Sequence, residues 1–436
     1  KLVYEYFQNR NLNALDEQFR RQGIRSHPRY DQNRLGGAVG GPILKNRWFY
    51  FGNFEYNPIG QASTSGGAVL APTADGLRQI EALPGLSRPN LDQFKKYVPV
   101  AGSQFGTRTV TVGGSRIPGG ILSVVGPAYT NSYNYVVTSD YNVSTNDQLR
   151  ARYVYNRSGT QEVRVSLPEF FTPVKFSVHL ANLTEFHTFS PNLTNEFRLG
   201  YTRRVEDRPV GEQSFPGLDA FPNLTFNDLS LQIGPFNSYP QSSRNNTFQL
   251  VDNMNWTRGR HSMKFGYDGR KVNLSSLFIQ RMRGDYVYTT LERYLLDITP
   301  EFGQRSVGGF PFVGNLLSHY AYFNDEIRVR DNVTLNVGLR YEFIDVPAGA
   351  KAQGLNALSS VPGVLEFRAP RPTKKDFAPR IGLAWSPGRE GKMSIRAGFG
   401  IGFDQVYQNL GINTLPPQYF TTVDAHIDRP GARNFL

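Results

Sequence analysis

The chain repeats one pattern: a run that alternates apolar and polar residues, a short polar turn, and a second alternating run. The clearest copy spans Ala378 to Pro387, turns through Gly388 to Lys392, and continues from Met393 to Phe403. In its second run Ile395, Ala397, Phe399, Ile401 and Phe403 share one face, opposite Ser394, Arg396, Gly398, Gly400 and Gly402. Successive side chains of a strand point to opposite faces, so this pattern predicts strands with one apolar and one small or polar side. Other copies are as clean. Leu335, Val337, Leu339, Tyr341 and Phe343 oppose Thr334, Asn336, Gly338, Arg340 and Glu342. Phe197, Leu199 and Tyr201 oppose Glu196, Arg198 and Gly200, and Met263, Phe265 and Tyr267 oppose Lys264, Gly266 and Asp268. From Lys175 to Phe189 both faces are mixed, and the pattern does not choose an outer one.

Six hairpins follow from the pattern. They run over Asn33–Tyr56 (turning at Pro42–Asn46), Tyr133–Asn156 (Ser144–Asp147), Lys175–Arg203 (Ser190–Asn192), Asn245–Val272 (Arg258–Arg260), Ser318–Phe343 (Arg330–Asn332) and Ala378–Phe403. The turn residues are those hairpins need. Between hairpins lie long stretches rich in Gly, Pro, Ser and Thr, at 57–130, 204–243 and 346–376, and a mixed one at 273–315. Within the first, Ala74–Leu83 and Leu91–Tyr97 have a helical pattern. A soluble sandwich has turns at regular short spacing. Short turns alternating with long connections instead predict an all-β, antiparallel transmembrane β-barrel, with short periplasmic turns and long extracellular loops. About 12–13 strands of such a wall are present. Ile395, Phe399 and Phe403 are expected to face lipid.

Composition agrees. Hydrophobic residues make up 39% of the 436 residues, yet aromatics reach 13%, with 23 Tyr and 31 Phe. Half of each barrel strand faces water, and aromatic girdles mark both interfaces. No apolar run approaches the roughly 20 residues of a membrane helix, so any span is made of strands that pair with each other. The chain has no Cys, which removes disulfides, thiolate metal sites and Cys nucleophiles. Net charge is +12. The basic residues are dispersed, whereas nucleic-acid binders cluster theirs, so no nucleic-acid partner is expected. Basic loops or a basic lumen facing anionic lipopolysaccharide account for the charge.

Candidate chemistry is sparse. Arg150, Arg152, Arg198, Lys264, Arg340 and Arg396 sit singly on polar strand faces and could line the lumen as a ladder for an anionic solute. The competing reading pairs them with the carboxylates of a plug inside the barrel, or with Glu196 and Glu342 across strands. Tyr50, Tyr201, Trp256, Tyr341 and Trp385 could bind sugars, but a membrane girdle is the commoner use of such residues. His27, His179, His187, His261, His319 and His426 form no HExxH or similar motif. His179 and His187 share a face about 26 Å apart on a straight strand, too far for one metal. Gly398–Gly402 superficially resembles a nucleotide loop, but it lies in a strand and lacks the third spaced glycine. Nine Asn-x-Ser/Thr sequons, the first at Asn142, are read as incidental. No enzymatic constellation, metal site or cofactor is expected.

Residues Asn33 to Glu55 resemble the start of the barrel in large TonB-dependent receptors, closest to the Oar-like group with a carboxypeptidase-regulatory-like domain. Tyr320–Val329, Asn332–Glu342, and Phe377–Trp385 leading to Ile395–Gly400 resemble the same family, in family order. The resemblance implies a barrel of about 22 strands or more around an N-terminal plug. It also implies energy coupling through an inner-membrane TonB complex, reached by a region not in this chain. The chain opens inside a strand-like run, Leu2–Phe7, and closes in loop-like sequence, Arg429–Leu436. It is therefore expected to be one part of a longer protein, without the plug, the TonB box or the C-terminal strands. The expected function is uptake of a scarce or bulky solute across the outer membrane. The alternatives are a passive porin-like barrel and a soluble secreted β-rich adhesin or carbohydrate-binding protein.

Overall fold

The computed structural model describes the chain except residues 16, 18–24, 28, 65–68, 103–107, 123, 308–310, 353–359, 365, 367, 389–391, 405–418 and 424–435. Strands β1 (Leu2–Asn9), β2 (Tyr30–Leu44) and β3 (Trp48–Thr64) open the chain. Short strands β4 (Val69–Pro72), β5 (Arg108–Val112) and β6 (Ser115–Leu122) follow, with helices α1 (Ala74–Ala82) and α2 (Arg88–Tyr97) between β4 and β5. Long strands return as β7 (Val125–Asn142), β8 (Asp147–Glu162), β9 (Thr172–Ser190) and β10 (Leu193–Arg208). After β11 (Asn223–Phe226) and β12 (Leu231–Ile233) come β13 (Gln241–Arg258) and β14 (His261–Phe278). Next are β15 (Asp285–Tyr288), helix α3 (Leu291–Leu295), β16 (Phe302–Val307) and β17 (Phe312–Val313). Then come β18 (Leu316–Arg330) and β19 (Val333–Ile344). The described elements end with β20 (Asp376–Trp385), β21 (Ile395–Gly400) and β22 (Tyr419–Val423).

The long strands form one wall in the order β1-β2-β3-β7-β8-β9-β10-β13-β14-β18-β19-β20-β21, with β17 beside the far end of β14. Neighbours along it are antiparallel. The described wall is an open sheet. All six predicted hairpins are present. The first turn is tighter than its sequence suggests, because pairing continues through Pro42 to Leu44 with a register shift, and Asn46 turns the chain in the left-handed region (φ 60°). The strands also run further into the long connections than the alternation indicates. There both faces are polar, as in Ser242–Asn246 of β13 and Arg203–Asp207 of β10, so the period-two signal fades while the pairing persists.

Register sorts each wall residue onto one of two faces, and burial separates them. Glu55, Thr184, Val251, Leu274, Ser318, Tyr320, Glu342 and Ala378 are buried and lie on one face. Exposed large apolar side chains crowd the other: Phe54, Val137, Leu183, Leu199, Phe248, Leu250, Phe323, Leu339, Ile381 and Phe399. Phe49 and Phe51 depart from this, sitting exposed on the inner face. An exposed apolar face is unstable in water but is the required surface in lipid. The undecided strand β9 is settled by its neighbours: Leu183 pairs with Leu199 and Ala151, so Lys175, His179, Ala181, Leu183 and His187 face outward. The inner face of β9 carries Phe176 and Phe186, each under a guanidinium, Arg204 at 5.2 Å and Arg150 at 4.9 Å. Aromatic rings on the polar side are what blurred the alternation there.

The outer face has a graded belt. All three tryptophans, Trp48, Trp256 and Trp385, stand within two residues of a short turn on the outer face, where an indole can bridge hydrocarbon and water. Tyr50, Tyr201 and Tyr341, the other candidate sugar binders, lie on the same face. From Leu193 to Tyr201 and from Trp256 back to Phe248 the outward positions are mostly apolar, about the 9–11 residues of a membrane strand.

Three of the four long connections do not behave as loops. Parts of 69–122, 165–171, 215–233 and 288–295 fold together over the far end of the wall into a cap with a continuous apolar core, including Ile80, Phe94, Phe170, Phe221, Phe226, Leu231, Tyr288 and Tyr294. Phe226 lies 5.1 Å from the Tyr294 ring and 6.1 Å from those of Phe94 and Tyr288. Both predicted helices are present, and Thr73 Oγ1 caps α1 by accepting from the Gly76 N–H. Strands from different connections pair: β11 lies parallel to β15 in a five-stranded sheet, and β4, β6 and β5 form a three-stranded one. Asn90 Nδ2 donates to the Tyr294 carbonyl at 2.8 Å, joining α2 to α3.

Two adjacent residues of β13 test the face assignment. Leu250→Lys places a charge at mid-belt and should lose about 2–4 kcal/mol in lipid vesicles, measured by urea titration. Gln249→Lys turns inward beside Asp268, which Gln249 Nε2 already contacts at 3.1 Å, and should lose less than about 1 kcal/mol. Separately, Phe226→Ala should cost the cap about 3–5 kcal/mol. Limited proteolysis should then cut the cap while the wall stays intact.

Candidate functional site

Strand register gathers the polar side chains of the wall on its inner face. Arg150 on β8 stands across Thr184 of β9 from Arg198 of β10, and Arg152 lies one step along the same face, beside Asn182. With Asp140 these residues border a polar hollow of about 570 Å³. All six candidate basic residues fall on this inner face. Lys264 pairs in register with Asn255 and Asn324, Arg340 with Tyr322 and Ala378, and Arg396 with Ala384.

Their partners divide them. Arg198 forms an ion pair with Glu196, and Arg340 with Glu342 at 2.8 Å; both partners lie two residues away on the same strand. Arg150 is 3.4 Å from Asp140. Arg152, Lys264 and Arg396 have no carboxylate partner among the described residues. Two of the six thus pair with Glu196 and Glu342, but within a strand and not across strands as the competing reading has it.

Several inner-face groups were not singled out from the sequence. Tyr320 is buried between two guanidiniums, Arg270 at 5.3 Å and Arg340 at 4.8 Å from its ring. Arg270 is itself paired with Asp268 at 2.6 Å. Near β1, Glu55 accepts from Arg34 Nε at 2.7 Å and from the Tyr4 hydroxyl at 2.9 Å, tying three strands together. Each group carries a polar-parity signal in its own strand. What the sequence withholds is which strands are neighbours.

Outside this face, the cross-strand pair Asp147 and His187 meets Glu185 at the short-turn end, with one ligand atom from each within 4.8 Å. His187 Nδ1 lies 2.5 Å from Asp147. Sequence spacing rules out His179 as a co-ligand of His187, and the structure keeps them apart; the carboxylates come from register instead. The glycines Gly398 and Gly400 lie on β21, in extended pairing with β20, and not in a turn that could cradle phosphate.

In the cap, Arg283 is buried and donates to the carbonyls of Tyr239 (3.2 Å) and Pro235 (3.3 Å). Burial pulls its pKa down to about 10. Asp228 receives the Leu291 N–H at 3.0 Å, and burial raises its carboxyl pKa above the usual range.

The chain belongs to the outer membrane beta-barrel domain family, whose model matches residues 2–432. It is an outer-membrane protein. Its fold is similar to that of the outer membrane transporter YddB from Escherichia coli, with 9% identity and a TM-score of 0.51 over 91% of this chain and 42% of that one. The alcaligin outer membrane receptor FauA from Bordetella pertussis is also similar, with 11% identity and a TM-score of 0.37 over 93% of this chain and 54% of that one. The chain spans less than two thirds of the length of either. No curated protein matches it in sequence. The family membership sets aside the soluble secreted reading.

The Asp228 environment makes a signed prediction. Its carboxyl pKa is raised in the folded cap, so the folded state holds the proton more tightly than the unfolded chain does. Cap stability should therefore fall as pH rises from the ordinary aspartate range through the raised folded pKa. Asp228→Asn keeps an acceptor for Leu291 and should flatten that slope in thermal melts taken between pH 3 and 7.

Proposed function

We propose that this chain is the barrel wall of a TonB-dependent receptor of the Oar-like group, which admits a scarce or bulky solute when a plug within the barrel is remodelled. The observation that carries this reading is the wall itself: a lipid-facing outer side, a cation-bearing inner side, and a folded cap over the far end. A cap built from four connections suits a receptor that meets its solute before passage. The resemblance of Asn33–Glu55 and of the later stretches supports the energy-coupled family over a simple porin. Arg152, Lys264 and Arg396, lacking carboxylate partners among the described residues, are the cations free to meet an anionic solute in transit. The chain makes and breaks no bond, and no cofactor enters.

The experiment uses cells expressing the full-length protein in the outer membrane. Solutes depleted from the medium by these cells, but not by cells lacking the gene, are identified by mass spectrometry. Uptake should stop when the inner-membrane proton gradient is collapsed. Continued uptake at the same rate would instead favour a passive channel. For an anionic solute, Arg152→Gln with Lys264→Gln should lower uptake several-fold.

A further inference from the structure

Carboxylates on the inner face repeatedly sit beside guanidiniums: Glu55 with Arg34, Glu196 with Arg198, Asp268 with Arg270, Glu342 with Arg340. Asp147 and Glu185 differ. Among the described residues neither has a lysine or arginine partner, and the basic group that both meet is His187. Register places all three on the outer face. Asp147 lies across from His187, and Glu185 lies between Leu149 on one side and Phe197 on the other. Two carboxylates of a chain with net charge +12 thus share one imidazole beside apolar neighbours. Close to hydrocarbon, such an excess of negative charge is costly unless a cation meets it.

The strand geometry makes the three side chains converge. Residues two apart on a strand share a face at a spacing of about 6.6 Å, and a cross-strand partner stands about 5 Å to the side. Glu185, His187 and Asp147 occupy these three corners. His187 Nδ1 is 2.5 Å from Asp147 Oδ1 and 4.0 Å from Glu185 Oε1. Donors around a tetrahedral ion with bonds of about 2.1 Å stand about 3.4 Å apart, midway between these values. The surroundings orient the donors, as outer groups do in metal sites. The Ser144 hydroxyl donates to Asp147 Oδ2, and accepts from the Asn146 and Asp147 N–H groups at 3.0 Å. The His187 ring meets that of Phe189 edge-on, with centroids 4.2 Å apart.

Connectivity gives an ion here something to do. At this rim short turns join β7 to β8 and β9 to β10, whereas β8 and β9 are linked through residues 163–171 at the other end. Asp147 belongs to the first hairpin, and Glu185 and His187 belong to the second. An ion held by all three ties the hairpins together where the backbone does not.

We infer that Asp147, Glu185 and His187 form a structural site for a divalent cation of the zinc class at the short-turn rim of the outer face. One imidazole and two carboxylates complete a tetrahedral zinc with a water in the fourth position. Calcium and magnesium take six or more oxygen ligands, so a nitrogen donor in a set of three selects against them. His261 and Asp325 supply an internal comparison. They form the same outer-face couple at another short turn, 2.6 Å apart, but the residues across from Asp325 are Met263 and Val337, which add no third carboxylate. The site is independent of the transported solute and of energy coupling.

The test uses the full-length protein in detergent micelles, stripped with EDTA and dialysed against zinc chloride. Bound zinc is counted by elemental mass spectrometry, and affinity is read by competition with a chelator. Loss of a group that merely orients a ligand weakens metal binding about 10–100-fold. His187→Ala and Glu185→Gln, which remove ligands, should therefore each weaken this site by at least about tenfold. His261→Ala should bind zinc as wild type does, and excess magnesium should leave the zinc in place. Zinc should also raise the temperature at which wild type loses its folded migration on gels, and should leave that of His187→Ala unchanged. Wild-type zinc retention by His187→Ala or Glu185→Gln, equal loss in His261→Ala, or displacement by magnesium would each overturn the inference. Should His187→Ala not fold, Glu185→Gln carries the same test at a half-buried position.

Discussion

Inside a bilayer no water completes the hydrogen bonds of a peptide group, so each strand of this wall depends on the two beside it. That constraint organises everything else in the molecule. It forces long antiparallel neighbours, and it makes register the controlling variable, because a one-residue slip would turn a whole strand inside out. The register observed keeps Leu199, Leu250 and Gly269 in one outward row and Arg198, Val251 and Asp268 in the inward row beside it. With each strand held in this way, the wall can do without a conventional apolar core.

Apolar burial does its work elsewhere. The packed core lies in the cap, where Phe94, Phe221, Phe226 and Tyr294 pack away from water as they would in a soluble domain. One chain thus contains two solutions to the same problem. In the wall the backbone is satisfied between strands and apolar side chains are handed to lipid. In the cap, short strands from separate connections pair, and their side chains are handed to each other. The junction is visible in β14: toward its far end Leu274 and Ser276 are buried on the inner face while Lys271 and Ser275 remain exposed on the outer. Phe312 on β17 covers this inner side, in a small cluster separate from the cap core.

Charge follows the same division. Inside the wall, carboxylates sit beside several arginines, and rings of Phe176, Phe186 and Tyr320 lie against Arg204, Arg150 and Arg340, which have such partners too. This keeps guanidiniums at an inner surface without a large uncompensated field, while Arg152 has no carboxylate partner among the described residues. On the outer face Arg157, Arg203, Arg244 and Lys271 lack acidic partners among the described residues. A basic excess that looks uniform in the composition is thus two populations with different surroundings.

The alternation of side chains is a local property, so hairpins, outward faces and short turns were legible in the residues alone; Ile395 and Phe399 stand on the face where the pattern puts them. The six candidate inner cations were legible for the same reason, since parity within one strand needs no partner. What the pattern could not decide depends on contacts between distant segments. Strand β9 was undecided because Phe176 and Phe186 point inward, and only the guanidiniums of neighbouring strands account for them. The Asp147–Glu185–His187 cluster and the burial of Tyr320 follow from which strands pair and in what register. The cap was least legible of all. The connections 57–130 and 204–243 read as loops because each holds too few apolar residues to bury alone; brought together by the wall with 165–171 and part of 273–315, they hold enough. Sequence by itself determined what each strand presents to its two sides. Tertiary structure decided which sides meet, because adjacency and register are set by pairing over long separations that no local pattern encodes.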